Sequence, residues 1–148
     1  MKERVFTLQV FTHAGVLPYR VNGKKLEFLL ITGRGTRQWL IPKGHWRPGG
    51  HPSETALREA YEEAGLTGTI HPQPIGTYRN GNKRNRNKQE LIIIYPLEVR
   101  QKSASWPEKG QRKRKWVDAA AAGDLVDDPL ADIIKSFAQN FMARAHSV

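Results

Sequence analysis

Cysteine is absent from this 148-residue sequence, which excludes disulfides and thiolate metal sites. No apolar stretch is long enough to cross a bilayer, and residues 1–4 (Met-Lys-Glu-Arg) do not begin the apolar run of a signal peptide. Acidic residues are scarce, with 14 Asp and Glu against 24 Lys and Arg. We therefore expect a soluble cytoplasmic protein with no membrane partner, and one domain spanning residues 1–148. The oligomeric state stays open.

Much of the net charge of +10 lies in two basic runs. Asn80–Lys88 holds four basic residues and Lys109–Lys115 holds five, with no acidic residue inside either run. Such runs favour polyanionic ligands, namely nucleotides, polyphosphates, inositol phosphates or RNA. Two solvated loops that keep the protein soluble are the alternative. Few aromatic residues stand among these charges, which weakens the case for base stacking on single-stranded RNA.

The apolar pattern predicts a mixed α/β protein. The predicted strands are Phe6–Leu17 (in two pieces broken near His13), Leu26–Thr32, Trp39–Ile41, Thr67–Ile70, Ile75–Tyr78, Leu91–Val99 and Lys115–Val117. Asn22 and Gly23 predict a hairpin turn. Leu91–Val99 is apolar on both faces and is therefore expected to be central, while Pro96 within it indicates a bulge or a sheet edge from that point onward.

Two helices are predicted near the C-terminus. Asp118 is expected to cap an Ala-rich helical turn, and Asp128 to cap a terminal helix whose first position is Pro129. The buried stripe of the terminal helix is predicted to consist of Ile133, Ile134, Phe137 and Phe141.

A short helix is predicted between Pro52, which suits a first turn, and Gly65, which suits the position after a helix end. Four residues recur at helical spacing as an apolar stripe: Leu57, Ala60, Tyr61 and Ala64. Three acidic residues fall on the opposite side within an arc of about 100°; they are Glu59, Glu62 and Glu63.

Like charges one turn apart destabilise a helix by roughly 0.2–0.5 kcal/mol, so Glu59 and Glu63 call for a compensating partner. A hard divalent cation such as Mg²⁺ provides one, because it takes oxygen ligands and shares its coordination with phosphate and water. The alternative is a solvated acidic face. In a basic chain, an acidic cluster directly after a loop rich in glycine and proline favours the metal site.

The segment from Gly44 to Leu66 resembles the Nudix box, Gly-x5-Glu-x7-Arg-Glu-U-x-Glu-Glu-x-Gly-U, where U is aliphatic. Every fixed position matches except the first glutamate, which is Gly50 here. The resemblance implies an α/β/α sandwich with a mixed central sheet and the box as a loop–helix–loop at the active site. Segments 39–44, 95–99 and 106–116 resemble the bacterial form of the diphosphoinositol polyphosphate phosphohydrolase and diadenosine polyphosphate hydrolase branch.

The resemblance also implies the chemistry: Nudix enzymes hydrolyse phosphoanhydrides with Mg²⁺ or Mn²⁺. Glu59, Glu62 and Glu63 match the metal-binding glutamates, one of which activates the attacking water. We favour Glu59 and Glu63 as direct ligands because they share one side of the helix. The carbonyl of Gly44 matches a backbone metal contact, and Arg58 matches the arginine that orients a glutamate through an ion pair.

Three positions outside this set carry further expectations. With Gly50 lacking a carboxylate, Glu54 is one turn before Arg58 and is a candidate partner for it. A fourth carboxylate ligand from outside the box is expected at Glu90 or Glu108.

The candidate phosphate-binding residues are cations in or beside loops expected to flank the box: Arg20, Arg34, Arg37 and Lys43. For each of them a solvated surface cation is the alternative. The leading hypothesis is a Mg²⁺-dependent hydrolase of diadenosine polyphosphates or diphosphoinositol polyphosphates. An RNA 5′-pyrophosphohydrolase and a non-catalytic nucleotide- or RNA-binding module are the alternatives, and the three retained helix glutamates argue against the latter.

Overall fold

The computed structural model describes residues 11–80 and 89–146. Residues 6–10 of the first predicted strand and nearly all of the basic run Asn80–Lys88 lie outside the described residues. None of the helices in the described ranges is long and apolar enough to cross a membrane.

In the described residues, four strands precede the first helix, and four more precede the two C-terminal helices. The strands are β1 (His13–Asn22), β2 (Lys25–Thr32), β3 (Trp39–Leu40), β4 (Lys43–His45), β5 (Leu66–Ile70), β6 (Gly76–Asn80), β7 (Glu90–Lys102) and β8 (Arg114–Val117). The helices are α1 (Pro52–Ala64), α2 (Ala119–Leu125) and α3 (Asp128–His146).

These strands form one mixed sheet with the order β3-β2-β1-β7-β5, to which β4 adds by pairing with β1, β6 with β7, and β8 with β2. The pair β1 and β7 is parallel, and the other pairs are antiparallel. The mixed sheet and the central position of β7 confirm the expectations from the sequence. The hairpin at Asn22 and Gly23 is also confirmed, with Gly23 at a φ of 65°.

Pro96 lies inside β7 and pairs with Leu17 of β1, so the strand is regular at the proline itself. Its carbonyl accepts a hydrogen bond from the amide of His71 (3.0 Å), so its ring nitrogen faces the same side of the strand. On that side β6 pairs with β7 up to Ile94 and β5 pairs from Leu97 onward. Pro96 therefore falls where the neighbouring strand changes, and its missing N–H interrupts neither ladder. A bulge does follow further along β7, as expected from Pro96 onward: the consecutive residues Thr67 and Gly68 of β5 pair with Gln101 and Val99, so Arg100 is the extra residue of β7.

Apolar residues on the two faces of the sheet form two cores, as the alternation of side chains along a strand requires. On one face, α1 packs through Ala56, Ala60 and Ala64, all fully buried. On the other face, α2 and α3 pack against the sheet, and Ile134 of α3 is fully buried. Each fully buried large apolar side chain contributes roughly 1.5–3 kcal/mol. This arrangement confirms the α/β/α sandwich.

The buried face of α1 differs from the predicted stripe. Ala60 and Ala64 are buried as expected, but the side chain of Tyr61 is 41 % exposed and Glu63 is only 7 % exposed. Hydrophobic spacing alone placed Glu63 on the solvent side. It is buried because residues from β4 and from the β7–β8 connection provide donors for its carboxylate, which the spacing within the helix does not reveal.

Strand β4 was not among the strands predicted from the sequence, none of which lies between Ile41 and α1. It pairs with the start of β1, with Gly44 opposite Ala14 and Lys43 opposite Gly15. A Cβ on Gly15 would stand 2.7 Å from the carbonyl oxygen of Pro42, so glycine is needed there for the strands to approach. This pairing fixes the beginning of the Gly-rich loop on the sheet.

The helix ends follow the sequence closely. At the start of α1, the side chain of His51 accepts a hydrogen bond from the amide of Ser53. Asp118 caps α2 through the amide of Ala121 (2.8 Å), as predicted. Helix α3 starts at Asp128, one residue earlier than predicted.

Gly65 ends α1 in the left-handed conformation, with φ of 68°, and ring atoms of Trp106 would stand 2.8 Å from a Cβ at this position. We expect Gly65→Ala to lower the free energy of unfolding by about 2–4 kcal/mol, combining left-handed strain with overpacking. Gly23→Ala is the matched control because Gly23 has nearly the same φ (65°) and no atom within 4 Å of an added Cβ. Urea denaturation would measure both variants; equal losses would show that contact with Trp106 adds nothing.

Candidate active site

The carboxylate of Glu59 lies directly against the backbone of Gly44. A Cβ built on Gly44 would overlap the carboxyl carbon and one oxygen of Glu59, so only glycine leaves room at this position. Since Gly44 belongs to β4 and Glu59 to α1, the packing of helix on strand brings a side-chain carboxylate beside the half-buried main chain of β4. The sequence predicted this pair as ligands, and the structure brings them together.

Glu63 lies deeper, with both carboxylate oxygens accepting hydrogen bonds. The amide of Lys43 donates to Oε1 (2.9 Å), and Nη2 of Arg112 donates to Oε2 (3.0 Å). Burial raises the pKa of Glu63 to about 7, although the hydrogen bond from Lys43 and the charge of Arg112 oppose the shift. The repulsion from Glu59 adds to it. The ionised form of Glu63 is therefore stabilised by these two donors against the effect of burial.

Arg112 joins three parts of the chain at this point. Besides Glu63, its Nε donates to Oε1 of Glu108 (3.1 Å), and its Nη1 donates to the carbonyl of Thr32 (3.2 Å). Its side chain is only 9 % exposed. The amide of Glu108 also donates to the carbonyl of Glu62 (3.0 Å), so the β7–β8 connection is attached to α1 by backbone as well.

Repulsion among the carboxylates affects Glu59 too. Partial burial raises the pKa of Glu59, and the charges of Glu62 and Glu108 raise it further. Arg58 and Arg112 lower it. The four carboxylates therefore form one electrostatic cluster in which added positive charge stabilises the ionised forms.

Side chains alone do not form a complete ligand set. Within residues 11–80 and 89–146, no three His, Asp or Glu side chains converge to a point that holds a metal ion. The available oxygen donors are instead the carboxylate of Glu59, the neighbouring main chain of Gly44 and the half-buried Glu62. Such a set suits Mg²⁺, which is usually held by one or two carboxylates together with water and substrate oxygens.

The expected ion pair of Arg58 is not formed. Arg58 is exposed, and within the described residues it makes no hydrogen bond or salt bridge, either with Glu54 or with a box glutamate. The reason is geometric: Glu63 is buried on the side of α1 that Arg112 approaches, whereas Arg58 points to solvent. Arg112 is the functional residue that the sequence reasoning missed. The signal available was the i, i+4 spacing of Glu108 and Arg112.

The two candidates for a fourth carboxylate have different surroundings. Glu108 belongs to the cluster through Arg112. Glu90 is at the start of β7, where it forms salt bridges with Nζ of Lys43 and, at 3.3 Å, with Nε2 of His13. Burial lowers the pKa of His13. Glu108 is therefore the candidate that lies next to the box glutamates.

The four predicted phosphate-binding cations do not share one environment. Arg20 forms a salt bridge with Glu27 (3.0 Å), and its guanidinium lies 3.9 Å from the ring centroid of Trp116, so it stabilises the β1–β2 hairpin. The ammonium of Lys43 is paired with a carboxylate, as described above. Arg34 and Arg37 are exposed in the β2–β3 loop.

Arg37 lines a cleft of about 750 Å³ between the β2–β3 loop and the β7–β8 connection. Its lining residues are Thr32, Gly33, Gly35, Thr36, Arg37, Trp39, Gly110, Gln111, Arg112 and Lys113. Arg112 connects the cleft with the carboxylates, because it lines the cleft and also contacts Glu63. The cleft is therefore basic at its rim and borders the acidic cluster.

The basic run Lys109–Lys115 divides into structural and exposed residues. Lys109 donates to the carbonyl of Ala104. Arg114 donates to the carbonyls of Ala64 (2.9 Å) and Ser103 (3.2 Å) and stacks on Trp106. With Arg112 also engaged, only Lys113 and Lys115 of this run are exposed cations without such contacts in the described part of the chain.

Comparison with known proteins gives a consistent family. The model of the family described as NUDIX domain matches residues 11–141. Nudix hydrolase 21, chloroplastic, of Arabidopsis thaliana is 36% identical over 118 residues, which are 77% of this chain and 59% of the relative. Diphosphoinositol polyphosphate phosphohydrolase 2 of Mus musculus is 30% identical over 105 residues, 70% of this chain and 55% of the relative. The chain spans about half the length of the curated relatives it matches.

Among solved structures, an Ap4A hydrolase of C. elegans is similar with a TM-score of 0.71 and 25% identity, covering 89% of this chain and 98% of that one. The NUDIX domain of Shewanella oneidensis NrtR, crystallised with ADP ribose, has a TM-score of 0.66 at 14% identity, covering 88% of each chain. The second likeness concerns the fold alone.

The departure at Gly50 can be tested by restoring the glutamate. No atom lies within 4 Å of a Cβ on Gly50, and its φ is not positive. We therefore expect Gly50→Glu to change the free energy of unfolding by no more than about 0.5 kcal/mol. Gly49→Glu is the control, because Gly49 has a φ of 111° and should lose roughly 1–3 kcal/mol. Thermal melts measure both; a large loss for Gly50→Glu would contradict an open position.

Proposed function

Because the chain belongs to the NUDIX domain family, we propose that it is a Mg²⁺- or Mn²⁺-dependent hydrolase of phosphoanhydride bonds. Its proposed substrates are diadenosine polyphosphates or diphosphoinositol polyphosphates. Two relatives support this choice: the mouse protein is named as a diphosphoinositol polyphosphate phosphohydrolase and the C. elegans protein as an Ap4A hydrolase. The substrates in both names carry several phosphate groups, and such polyanions suit a strongly basic chain.

The contact between Glu59 and Gly44 is the single observation that carries the proposal. It sets the carboxylate of Glu59 against the main chain of Gly44, in the space that a Cβ would fill, on the same helix as Glu62 and Glu63. This is an all-oxygen environment, which selects hard cations such as Mg²⁺ and Mn²⁺ over softer ones. The raised pKa of Glu59 agrees with it, since crowded carboxylates gain from a bound cation.

The residues of the chain divide the work as follows. Glu59 and the Gly44 carbonyl would hold the cation. Glu63, favoured from the sequence as a second direct ligand, has both oxygens engaged by Lys43 and Arg112, so it would complete the acidic cluster with Glu62 and orient the attacking water. When bound, Mg²⁺ lowers the pKa of coordinated water and neutralises charge on the phosphoryl oxygens. At the rim of the cleft, Arg37 provides charge-assisted hydrogen bonds to substrate phosphates.

A second candidate is removal of pyrophosphate from RNA 5′ ends. The observation that favours it is the exposed charge of Lys113, which lines the cleft opposite the β2–β3 loop and extends its basic rim. Its substrate is again a phosphoanhydride, so the same carboxylates serve both candidates.

Phosphate release from a panel of dinucleoside polyphosphates, inositol pyrophosphates and 5′-triphosphorylated RNA, with Mg²⁺ and with chelator, tests the proposal. We expect chelator-sensitive turnover of at least one substrate, lost at least about 100-fold in Glu59→Gln. Glu54→Gln is the matched control, because Glu54 is an exposed acid on the same helix. A folded wild type that hydrolyses none of the substrates in either metal would refute the enzymatic function.

Gly44→Ala tests the contact between Glu59 and Gly44 without changing the charge of the site. Its Cβ would displace the carboxylate of Glu59, so we expect Mn²⁺ affinity, measured by the electron paramagnetic resonance of free Mn²⁺, to fall by about 10-fold or more. Gly50→Ala, in the same loop with open space around its Cβ, should bind Mn²⁺ like the wild type. Equal Mn²⁺ affinities for all three proteins would show that cation binding does not depend on the contact between Glu59 and Gly44.

A further inference from the structure

Arg112 lies outside the box, and among the described cations it donates side-chain hydrogen bonds to the largest number of residues. Its guanidinium donates to Glu63 on α1, to Glu108 before β8 and to the carbonyl of Thr32 at the end of β2. The paired side chains are almost fully excluded from solvent, at 9 % exposure for Arg112 and 8 % for Glu63. At this burial an ion pair is sensitive to the loss of either partner, since the remaining charge is left uncompensated.

The geometry fixes the orientation of Glu63 from two sides. The amide of Lys43 approaches Oε1 at 2.9 Å and the guanidinium of Arg112 approaches Oε2 at 3.0 Å, so the carboxylate cannot rotate without losing one donor. The amide belongs to β4, whose position the sheet determines. The other donor is a side chain, so Arg112 is the replaceable element of this arrangement.

Arg58 offers no such contact. It is exposed on the solvent side of α1 and forms no hydrogen bond or salt bridge within the described residues. Its influence on the cluster is limited to its charge, which lowers the pKa of the adjacent Glu59. Arg58, which the family resemblance links with an orienting ion pair, therefore forms no such pair within the described residues.

We propose that Arg112, and not Arg58, is the positioning residue that holds Glu63 in its working orientation, acting across a separation of 49 residues in sequence. This inference rests on the proposed hydrolase function. Arg112 acts through Glu63 and requires a guanidinium, because three acceptors in different directions need the planar fork of donors that an ammonium lacks.

The central variant is Arg112→Lys, which keeps the charge and removes the fork. We expect kcat on the best panel substrate to fall about 10–100-fold with KM within about threefold, since a displaced supporting residue impairs the orientation of Glu63 more than substrate binding. Mn²⁺ affinity, measured by electron paramagnetic resonance without substrate, should fall in the same variant. Thermal melts would establish that the variant is folded.

Two further variants make the comparison specific. Arg100→Lys is the matched control: Arg100 forms the same kind of pair with Glu98 (3.2 Å), but the two side chains are 64 % and 40 % exposed, so kcat should not change. Arg58→Gln should keep kcat within about threefold. A loss of about 100-fold in Arg58→Gln would overturn the proposal even if Arg112→Lys failed to fold.

A double-mutant cycle distinguishes positioning from general stabilisation. If Arg112 acts through Glu63, the losses in kcat for Arg112→Lys and Glu63→Gln should be strongly non-additive. Additive losses would overturn the proposal, as would wild-type kcat and Mn²⁺ affinity in Arg112→Lys. A wild type without turnover or Mn²⁺ binding would refute the hydrolase function itself, and with it this inference; an active wild type with an indifferent Arg112→Lys refutes only the role of Arg112.

Discussion

Helix α1 lies so close to strand β4 that the carboxylates of the helix contact the main chain of the strand. Glu59 occupies the space beside Gly44, and Glu63 accepts the amide of Lys43. The approach is possible because the face of α1 toward the sheet is built from alanines, among them Ala56 and Ala60, and because Gly44 has no side chain. The acidic cluster, its raised pKa values and its suitability for a hard cation all result from this packing distance.

Burying carboxylates at such a distance is unfavourable unless donors meet them. The two donors to Glu63 come from different parts of the fold. One is a backbone amide of the sheet, and the other is the guanidinium of Arg112 in the β7–β8 connection. In the described part of the chain Glu59 accepts no such hydrogen bond, and its pKa is raised mainly by burial. Among these residues Glu59 therefore lies against the main chain of Gly44 without a donor of its own, which is the environment on which the proposed cation site is based.

Sequence reasoning succeeded where short-range chemistry decides the outcome. The ends of α1 and the cap of α2 follow from residues within a few positions of one another. It failed where distant segments meet. The burial of Glu63 instead of Tyr61 depends on donors far from α1 in sequence, and β4 forms because Gly15 admits Pro42, not because Lys43–His45 has a strand pattern. Helical periodicity contains no information on such partners.

The departure at Gly50 takes on a different meaning in this setting. A Cβ at Gly50 contacts nothing within 4 Å, and the carbonyl of Gly50 is fixed by the indole of Trp46 (2.8 Å). The loop is therefore held by a contact to the main chain, and this contact does not require a side chain at position 50. Glu63 is oriented from β4 and from Arg112, at the other end of α1. A change in the loop half of the box can thus leave the helix half intact, because different parts of the fold support them.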